Sequence, residues 1–589
     1  MDPSAARRRP SSGNEHALET LTSSMPLEAA ARQQTTAATK TEPTSTADEG
    51  GANSGTVLQD ETTRVEYIRG WRLWVLTAAL WISLFLSTLE TTIVSTSLVS
   101  ITNALNGFIL RDWLVTAYLL TYTGAHPSLK DIFDPRLSGV GFLTIYAKFS
   151  DVFGRKTMLL LALAIFTIFS ALCGASDNII QLIIFRAFQG LGASGIYAMV
   201  MVIAPSLVPP AKYGKYMAIV STVFIVASVL GPVLGGVINT RSSWRWVFLL
   251  NIPGGVVSFV LIAIGLPASE ASSKLTMVQV LRSKMQRSMW ARINVLGMTL
   301  LLASSVLLVF ALEEGGTRFP WDSGAVVSTL VLAIVLGIAF AVCRQEAVFP
   351  PSICKDRLLA AMLLTAFFIG FPFVSIVVNI PQRAQAVYAL SPVDAGLALL
   401  PLLLTSPVAT ALSGLLTGNA KVPPFYLIIV ASIFQVVGVG LTCSLPTDTT
   451  SLPIAQYGFE VLMGIGFGLG LTTLLTFARV VVPETNLAVM MGAITQVRVL
   501  GGTISLAICA TILNNHLAPK LDQIVTPEEA AAIFESLSAI KNLTSTQQDA
   551  VRKVFAEGYN QQNIFMTALT ALALVTSCFL WEKTPRKAV

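Results

Sequence analysis

The chain has 589 residues and a formal net charge of +6; 53% of its residues are hydrophobic and only 12% are charged. Soluble domains carry about 25% charged residues, so the composition excludes an ordinary soluble protein and indicates a chain that lies mostly in lipid. The basic excess is small and spread along the sequence, which argues against a nucleic-acid partner.

Several classes of functional site have no counterpart in the sequence. The six cysteines form no CxxC pair and the three histidines lie far apart, so neither a disulfide framework nor a metal site is predicted. No phosphate loop of the form GxxxxGKS or GxxxxGKT is present, which argues against ATP as the energy source. No Ser, His and Asp constellation suggests an enzyme, and no cofactor is expected.

Long apolar runs begin near residue 73. A helix needs about 20 mainly apolar residues to cross the hydrocarbon core of a bilayer. Residues 1–70 contain no such run and are rich in Ser, Thr, Ala, Glu and Arg, which predicts a disordered cytoplasmic tail. Thirteen spans are predicted at 73–99, 157–176, 179–203, 215–238, 244–266, 291–312, 324–343, 358–380, 393–417, 425–445, 456–478, 487–513 and 564–580. A further span, second in the chain, is interrupted between Trp113 and Phe149, which makes about fourteen.

The loops on one side of these spans hold more Lys and Arg than the loops on the other, which places both chain ends in the cytosol. Spans 1–6 and 9–14 would form two similar six-helix halves with two spans inserted between them, an all-α arrangement that places a substrate site between the halves. The predicted parts are the tail 1–70, the first half 71–266, a basic cytoplasmic loop 267–290, the inserted spans 291–343, the second half 344–580 with a long outer loop at about 514–563, and the cytoplasmic tail 581–589.

Glu90 and Arg186 are ionisable residues inside predicted spans, where a charge costs roughly 2.5 to 3.5 kcal/mol on insertion scales. Glu90 is in the first span, within LETTIV at 89–94, and Arg186 is in the fourth, within RAFQGLG at 186–192. A carboxyl group in an apolar environment can bind and release a proton during a transport cycle. The alternatives are a structural Glu90 bonded to Ser or Thr, and an Arg186 whose side chain reaches the membrane interface.

The loop before the third span reads AKFSDVFGRK over residues 147–156. Gly154 permits a tight turn, and Asp151 can pair with arginine or cap the N-terminus of a neighbouring helix. Together with Arg155 and Lys156, these residues form a candidate gating loop on the cytoplasmic side. The alternative is an ordinary basic loop with a turn.

The fifth span contains ASVLGPVLGG over residues 227–236. The small residues Gly231, Gly235 and Gly236 allow a neighbouring helix to approach closely, and Pro232 removes a backbone hydrogen bond and permits a bend. Because glycine-rich packing faces are common in membrane proteins, this stretch alone does not define a function.

Taken together, these stretches resemble signatures of the major facilitator superfamily. The loop resembles GxxxDxxGRK, the fourth span RxxQGxG, and the fifth the GxxxGPxxGG motif of its exporting branch. LETTIV resembles the LDxTIVNVAL signature of the fourteen-helix drug:proton antiporters, and WRWVFLLNIPG at 244–254 resembles their WRWxFxxNxP stretch. Ala147 and Ala227 replace glycines of the motifs, and Glu90 replaces an aspartate. The resemblance runs from about residue 69 to the last span and includes fungal pumps that export toxins and other secondary metabolites.

This resemblance implies a major facilitator fold and a secondary active transporter, not an enzyme. The implied activity is proton-coupled export of an amphipathic small organic molecule, such as a toxin, other secondary metabolite or drug. Proton-coupled import of a nutrient or other small solute on the same fold is the alternative. A monomer in the plasma membrane is expected, with a vacuolar or vesicle membrane as the alternative. The implied proton-coupling residues are Glu90 and Arg186, and the candidate substrate contacts are Gln189, Arg383 and Gln385.

A polar insert interrupts the second span. Residues 125–141, 17 in all, contain two prolines and four formal charges, which would cost on the order of 10 kcal/mol at the bilayer centre. Without them, residues 113–124 and 142–149 join into one apolar span. One hypothesis is therefore that 125–141 are a retained intron; the alternative is a real loop that bulges from the membrane.

Sequencing the transcript tests the intron hypothesis. We expect messages that lack the 17 codons, because the joined span can cross the bilayer as one uninterrupted helix, and their product should insert and transport better. A message that keeps these codons, and whose product transports normally, would refute the hypothesis.

Overall fold

The computed structural model describes residues 70–123, 150, 154–209, 213–266, 295–316, 318–342, 357–418, 420–449, 451–482 and 484–586. The regular structure of these residues is helical. In lipid a helix satisfies its backbone polar groups internally, so apolar runs of this length fold as helices. Ten described helices or helix pairs are long and apolar enough to cross a membrane.

The helices of the first half are α1 (Trp71–Ala104), α2 (Trp113–Thr123), α3 (Arg155–Gly174), α4 (Ile179–Ser206), α5 (Tyr213–Arg241), α6 (Trp246–Leu249) and α7 (Asn251–Gly265). The two inserted helices are α8 (Val295–Glu314) and α9 (Gly324–Val342). The second half consists of α10 (Arg357–Ala386), α11 (Pro392–Ala398), α12 (Leu400–Gly418), α13 (Pro424–Thr442), α14 (Ile454–Val481), α15 (Glu484–Leu521), α16 (Pro527–Glu535) and α17 (Ser545–Cys578).

Each of the thirteen uninterrupted predicted spans coincides with one helix or with a pair of consecutive helices. The second span is described only in part: α2 begins at Trp113 and is described to Thr123. Residues 125–141, for which we hypothesise a retained intron, lie outside the described residues.

The helices pack as two groups that meet face to face. In the first, α1 packs on α5 and α7, and α4 packs on α2 and α3; in the second, α10 packs on α15 and α17, and α14 packs on α12 and α13. The groups touch where α1 meets α10, α2 meets α15, and α5 meets α11 and α12. The inserted α8 contacts both α2 and α15, so it lies at the seam between the halves.

Loops that the sequence assigns to the outer side come together in space. One cavity is lined by Gly107 after α1, Ile179 at the start of α4, Glu314 at the end of α8 and Asn514 near the end of α15. Arg245, before α6, donates to the carbonyl oxygen of Ser176 after α3 at 2.8 Å. These contacts agree with the predicted alternation of the spans, and we call this end of the bundle the outer end.

The segment predicted as a long outer loop at 514–563 is largely helical. Helix α15 continues to Leu521, α16 and a 3₁₀ segment (Leu537–Asn542) follow, and α17 begins at Ser545. Their apolar side chains pack with Val99 and Phe108 of the first half in one buried cluster. The sequence analysis predicted a loop here because the segment is polar overall, and that prediction was wrong. A signal for helix was present: Val551, Val554, Phe555 and Tyr559 recur at helical spacing on one buried face of α17.

This outer segment carries the only N-x-S/T sequon of the chain, Asn542-Leu543-Thr544. Asn542 is exposed at the end of the 3₁₀ segment, so we expect it to be glycosylated if the segment faces the lumen of the secretory pathway. Enzymatic deglycosylation should then shift the protein band in a gel, and Asn542→Gln should abolish the shift. A reporter that is active only in the cytosol, placed in this segment and found active, would contradict the topology.

Candidate functional site

Glu90 and Arg186, both predicted inside the bundle, form an ion pair. Arg186 Nη1 of α4 lies 2.5 Å from Glu90 Oε1 of α1, and both side chains are only 1% exposed. An isolated buried charge would cost several kcal/mol, so the pairing explains how both residues are tolerated in an apolar core. The alternative in which the Arg186 side chain reaches the membrane interface is therefore wrong.

Neutral groups complete the hydrogen bonding of the pair. Asn251 Nδ2 at the start of α7 donates to Glu90 Oε2 at 2.7 Å, and Arg186 Nη1 also donates to Gln189 Oε1 at 2.9 Å. Arg186 Nε donates to the carbonyl oxygen of Leu114 at 2.9 Å. Because Asn251 belongs to the run that resembles WRWxFxxNxP, three of the recognised motifs meet at this one site.

The guanidinium group also rests on an aromatic face. Its Cζ atom lies 4.4 Å from the ring centroid of Tyr118, whose hydroxyl donates to the carbonyl oxygen of Ser87 at 2.9 Å. Cation–π contact of this kind stabilises arginine away from water. The guanidinium group of Arg186 thus contacts an aromatic face as well as its carboxylate partner.

A second polar network joins the two halves at the outer end. Arg111 Nε donates to Gln382 Oε1 of α10 at 3.1 Å, and Arg111 Nη1 donates to Asn514 Oδ1 of α15 at 3.2 Å. Gln382 Nε2 in turn donates to Asp112 Oδ1 at 3.2 Å. We call Arg111, Asp112, Gln382 and Asn514 the outer latch.

Two further hydrogen-bonded contacts reinforce this closure. Gln385 Nε2 of α10 donates to the carbonyl oxygen of Thr96 of α1 at 3.2 Å. Asn103 Oδ1, near the end of α1, accepts from the backbone N–H of Leu537 at 2.9 Å and from the hydroxyl of Ser536 at 3.0 Å. The outer end is therefore closed in this conformation.

The glycines of α5 are sites of close helix approach. A Cβ atom at Gly231 or Gly235 would collide with the Thr92 or Thr96 side chain of α1, and a Cβ atom at Gly236 would lie 2.6 Å from Cα of Val393 at the start of α11. Pro232 lies inside α5, and its carbonyl oxygen faces Gly396 of α11. Helix α5 thus packs on α1 through Gly231 and Gly235 and on the second half through Gly236.

The candidate gating loop is described only in part. Gly154 has a φ of +92° and immediately precedes α3, the left-handed conformation that glycine tolerates best. Lys156 Nζ donates to the carbonyl oxygen of Ala263 near the end of α7 at 2.6 Å, and Arg155 is exposed. Asp151 lies outside the described residues.

The three predicted substrate contacts do not share one cavity. Gln189 is fully buried in the Glu90 network and also donates to Ser170 Oγ at 2.8 Å. Arg383 is buried inside the second half, where Nη1 donates to Asn560 Oδ1 at 2.6 Å. Gln385 bridges the halves at the outer end. Their placement supports structural roles for Gln189 and Gln385.

A group of residues that the sequence analysis did not single out lies where the halves meet. Arg498 of α15 lies close enough to Tyr122 of α2 and Tyr197 of α4 for electrostatic interaction, and its Cζ atom is 5.8 Å from the ring centroid of Phe373 of α10. Its Nε atom has no hydrogen-bond partner among the described residues. The signal in the sequence was a charged residue inside a predicted span, the same signal that identified Glu90 and Arg186.

Two groups of apolar helices that meet face to face, with a buried ion pair inside one of them, are features of a multi-pass membrane transport protein. A family model described as Major Facilitator Superfamily matches residues 80–506. The chain therefore belongs to the major facilitator superfamily.

Similar proteins include fungal transporters. The MFS-type transporter FPY5 of Fusarium mangiferae is 45% identical over 559 residues, covering 91% of this chain and 90% of that protein. The efflux pump aflT of Aspergillus parasiticus is 29% identical, covering 80% of this chain and 87% of that protein. A bacterial homologue of the human lysosomal transporter Spinster, solved in an inward-facing and unoccupied conformation, has a TM-score of 0.59 at 15% identity and covers 88% of this chain and 100% of its own. This last similarity concerns the fold alone.

Proposed function

We propose that this transporter exports small amphipathic organic molecules, such as toxins or other secondary metabolites, and that inward movement of protons drives the export. The observation that carries the proposal is the ion pair of Glu90 and Arg186, which is buried between α1 and α4 at 2.5 Å. When the proton concentration is high, a proton replaces arginine as the partner of a carboxylate held in this way. The plasma membrane is the proposed location.

Protonation of Glu90 would change the packing of the first half. A proton on Oε1 removes the charge that attracts Arg186 Nη1, and the guanidinium keeps Gln189 and the carbonyl oxygen of Leu114 as acceptors. Because Leu114 lies two residues after Asp112 of the outer latch, a shift of Arg186 would act directly on the segment that closes the outer end. This is the proposed link between proton binding and outward opening.

The proposed substrate region lies between the halves, around Arg498. The rings of Tyr118, Tyr122, Tyr197 and Phe224 form a row in which each ring contacts the next, stacked or edge-on. Arg498 and Phe373 face this row from the second half. Aromatic faces suit flat apolar molecules, and an arginine near them suits a polar or acidic group on the same molecule. This arrangement supports an amphipathic substrate.

Similarity to proteins named as efflux pumps supports export over import. The transport direction can be measured in inside-out membrane vesicles, whose lumen faces the outer end of the protein. We expect Nile red, a neutral apolar dye, to accumulate in the lumen when the lumen is made acidic and not when the pH gradient is reversed. Accumulation only under the reversed gradient would favour the importer alternative.

A further inference from the structure

The cavity at the outer end is rich in carboxyl groups. It has a volume of about 310 Å³ and is lined by Asp112 just before α2, by Glu313 and Glu314 at the end of α8, by Arg318 in the following loop, and otherwise mainly by apolar side chains. We call it the outer vestibule. It lies at the seam where the inserted helix α8 meets both halves.

Glu313 differs from the other acids of the vestibule. Asp112 pairs with Arg111 at 3.3 Å, and Glu314 Oε1 accepts from the indole N–H of Trp113 at 3.1 Å. Glu313 is only 5% exposed, and its Oε1 has no hydrogen-bond partner among the described residues. A buried carboxylate that is not paired with a cation costs several kcal/mol, and binding a proton removes this cost.

The charges that face Glu313 do not neutralise it. Asp112 and Glu314 repel its ionised form, and Arg111, the nearest cation, is engaged with Asp112, Gln382 and Asn514. Arg318 lines the same cavity and interacts with Glu314. The lining residues of α4 and α15 are Ile179, Ile180, Ala510 and Asn514, none of which is charged.

A short stretch of α2 connects the vestibule with the buried ion pair. Asp112 lines the vestibule, and the carbonyl oxygen of Leu114 accepts from Arg186 Nε. Thr116 is fully buried, and its hydroxyl lies close to the Glu313 carboxylate. Residues within two turns of one helix therefore contact both Glu313 and Arg186, the partner of Glu90.

We propose that Glu313 is a second proton-binding carboxyl, through which protons from the outer solution enter on their way to Glu90. The proton binds to the free Oε1 of Glu313 in the vestibule and is passed inward along the Thr116 side of α2; at Glu90 it replaces Arg186 as the partner of the carboxylate. The inserted helix α8 thereby contributes directly to the proton path. This proposal rests on the proposed proton coupling at Glu90.

Two measurements on Glu313→Gln test it. In inside-out vesicles, the initial rate of Nile red uptake is measured against lumen pH at a fixed pH outside. The variant should need about tenfold more protons in the lumen, one pH unit, for half-maximal uptake. Asp322→Asn, which removes an exposed carboxyl from the same outer loop, should behave as the wild type.

The second measurement does not depend on transport. Infrared difference spectra of the purified protein in lipid, recorded between acidic and alkaline buffer, should lose part of the band of protonated carboxyl groups in Glu313→Gln and none in Asp322→Asn. Glu313→Asp is a second variant for the case in which Glu313→Gln folds poorly. It keeps a carboxyl group and should retain that part of the band.

An unchanged infrared band in Glu313→Gln would overturn the proposal, and so would a lost band with an unchanged dependence on lumen pH. If wild-type vesicles accumulate no dye under any gradient, the proposed function fails. The infrared comparison would still decide whether Glu313 binds a proton.

Discussion

Glu90→Gln is expected to abolish dye accumulation driven by a pH gradient and to leave the protein in the membrane. Glutamine keeps the shape of the side chain and one oxygen that can accept from Arg186 Nη1, but it cannot bind and release a proton. Its amide N–H group would also face Asn251 Nδ2, which now donates to Glu90 Oε2. Uptake into inside-out vesicles is the measurement, normalised to the amount of transporter in the membrane.

Glu90→Asp is the matched control for this variant. It keeps the titratable group and shortens the side chain by one methylene, so it should retain gradient-driven accumulation at a reduced rate. The related antiporter signature has an aspartate in this place, which supports this choice. Full-rate pumping by Glu90→Gln would show that another group carries the coupled proton.

The sequence was informative wherever lipid imposes a strong constraint. A charge in an apolar run must have a partner, and this rule led to Glu90 and Arg186, which the structure places at 2.5 Å from each other. The same rule applied to Arg498 would have identified the aromatic region between the halves. The thickness of the bilayer likewise allowed the thirteen uninterrupted spans to be predicted, because a helix that crosses the bilayer has little freedom in its length.

Features at the outer end were harder to predict. Glu313 follows directly after the predicted span 291–312, where an acidic residue is expected to be solvated; only the packing of α2 and α15 against α8 buries it. The outer latch depends on contacts such as that between Arg111 and Gln382, which are 271 residues apart in the chain. Gln189 and Gln385 were predicted as substrate contacts because a polar residue in a span suggests either a ligand or a polar neighbour; in this conformation both side chains hydrogen-bond to protein neighbours.

Gly231→Ala is expected to destabilise the transporter by about 1 to 3 kcal/mol, a typical cost of overpacking, and to impair transport. A Cβ atom at this position would collide with the Thr92 side chain of α1 and lie 3.2 Å from the backbone nitrogen of Ile93. Helix α5 would have to move away from α1 at Thr92, which is two residues from Glu90 in the chain. Thermal unfolding in detergent and dye uptake are the measurements.

The matched control is Gly414→Ala in α12, where an added Cβ atom meets nothing within 4 Å. Both glycines lie inside helices, so the two substitutions change helix propensity alike and differ in the space available to the new methyl group. We therefore expect Gly414→Ala to unfold at the wild-type temperature or above it and to transport normally, and Gly231→Ala to unfold at a lower temperature. Equal unfolding temperatures for the two variants would show that α5 can yield to the methyl group. In that case the close contact with α1 would not be what makes Gly231 necessary.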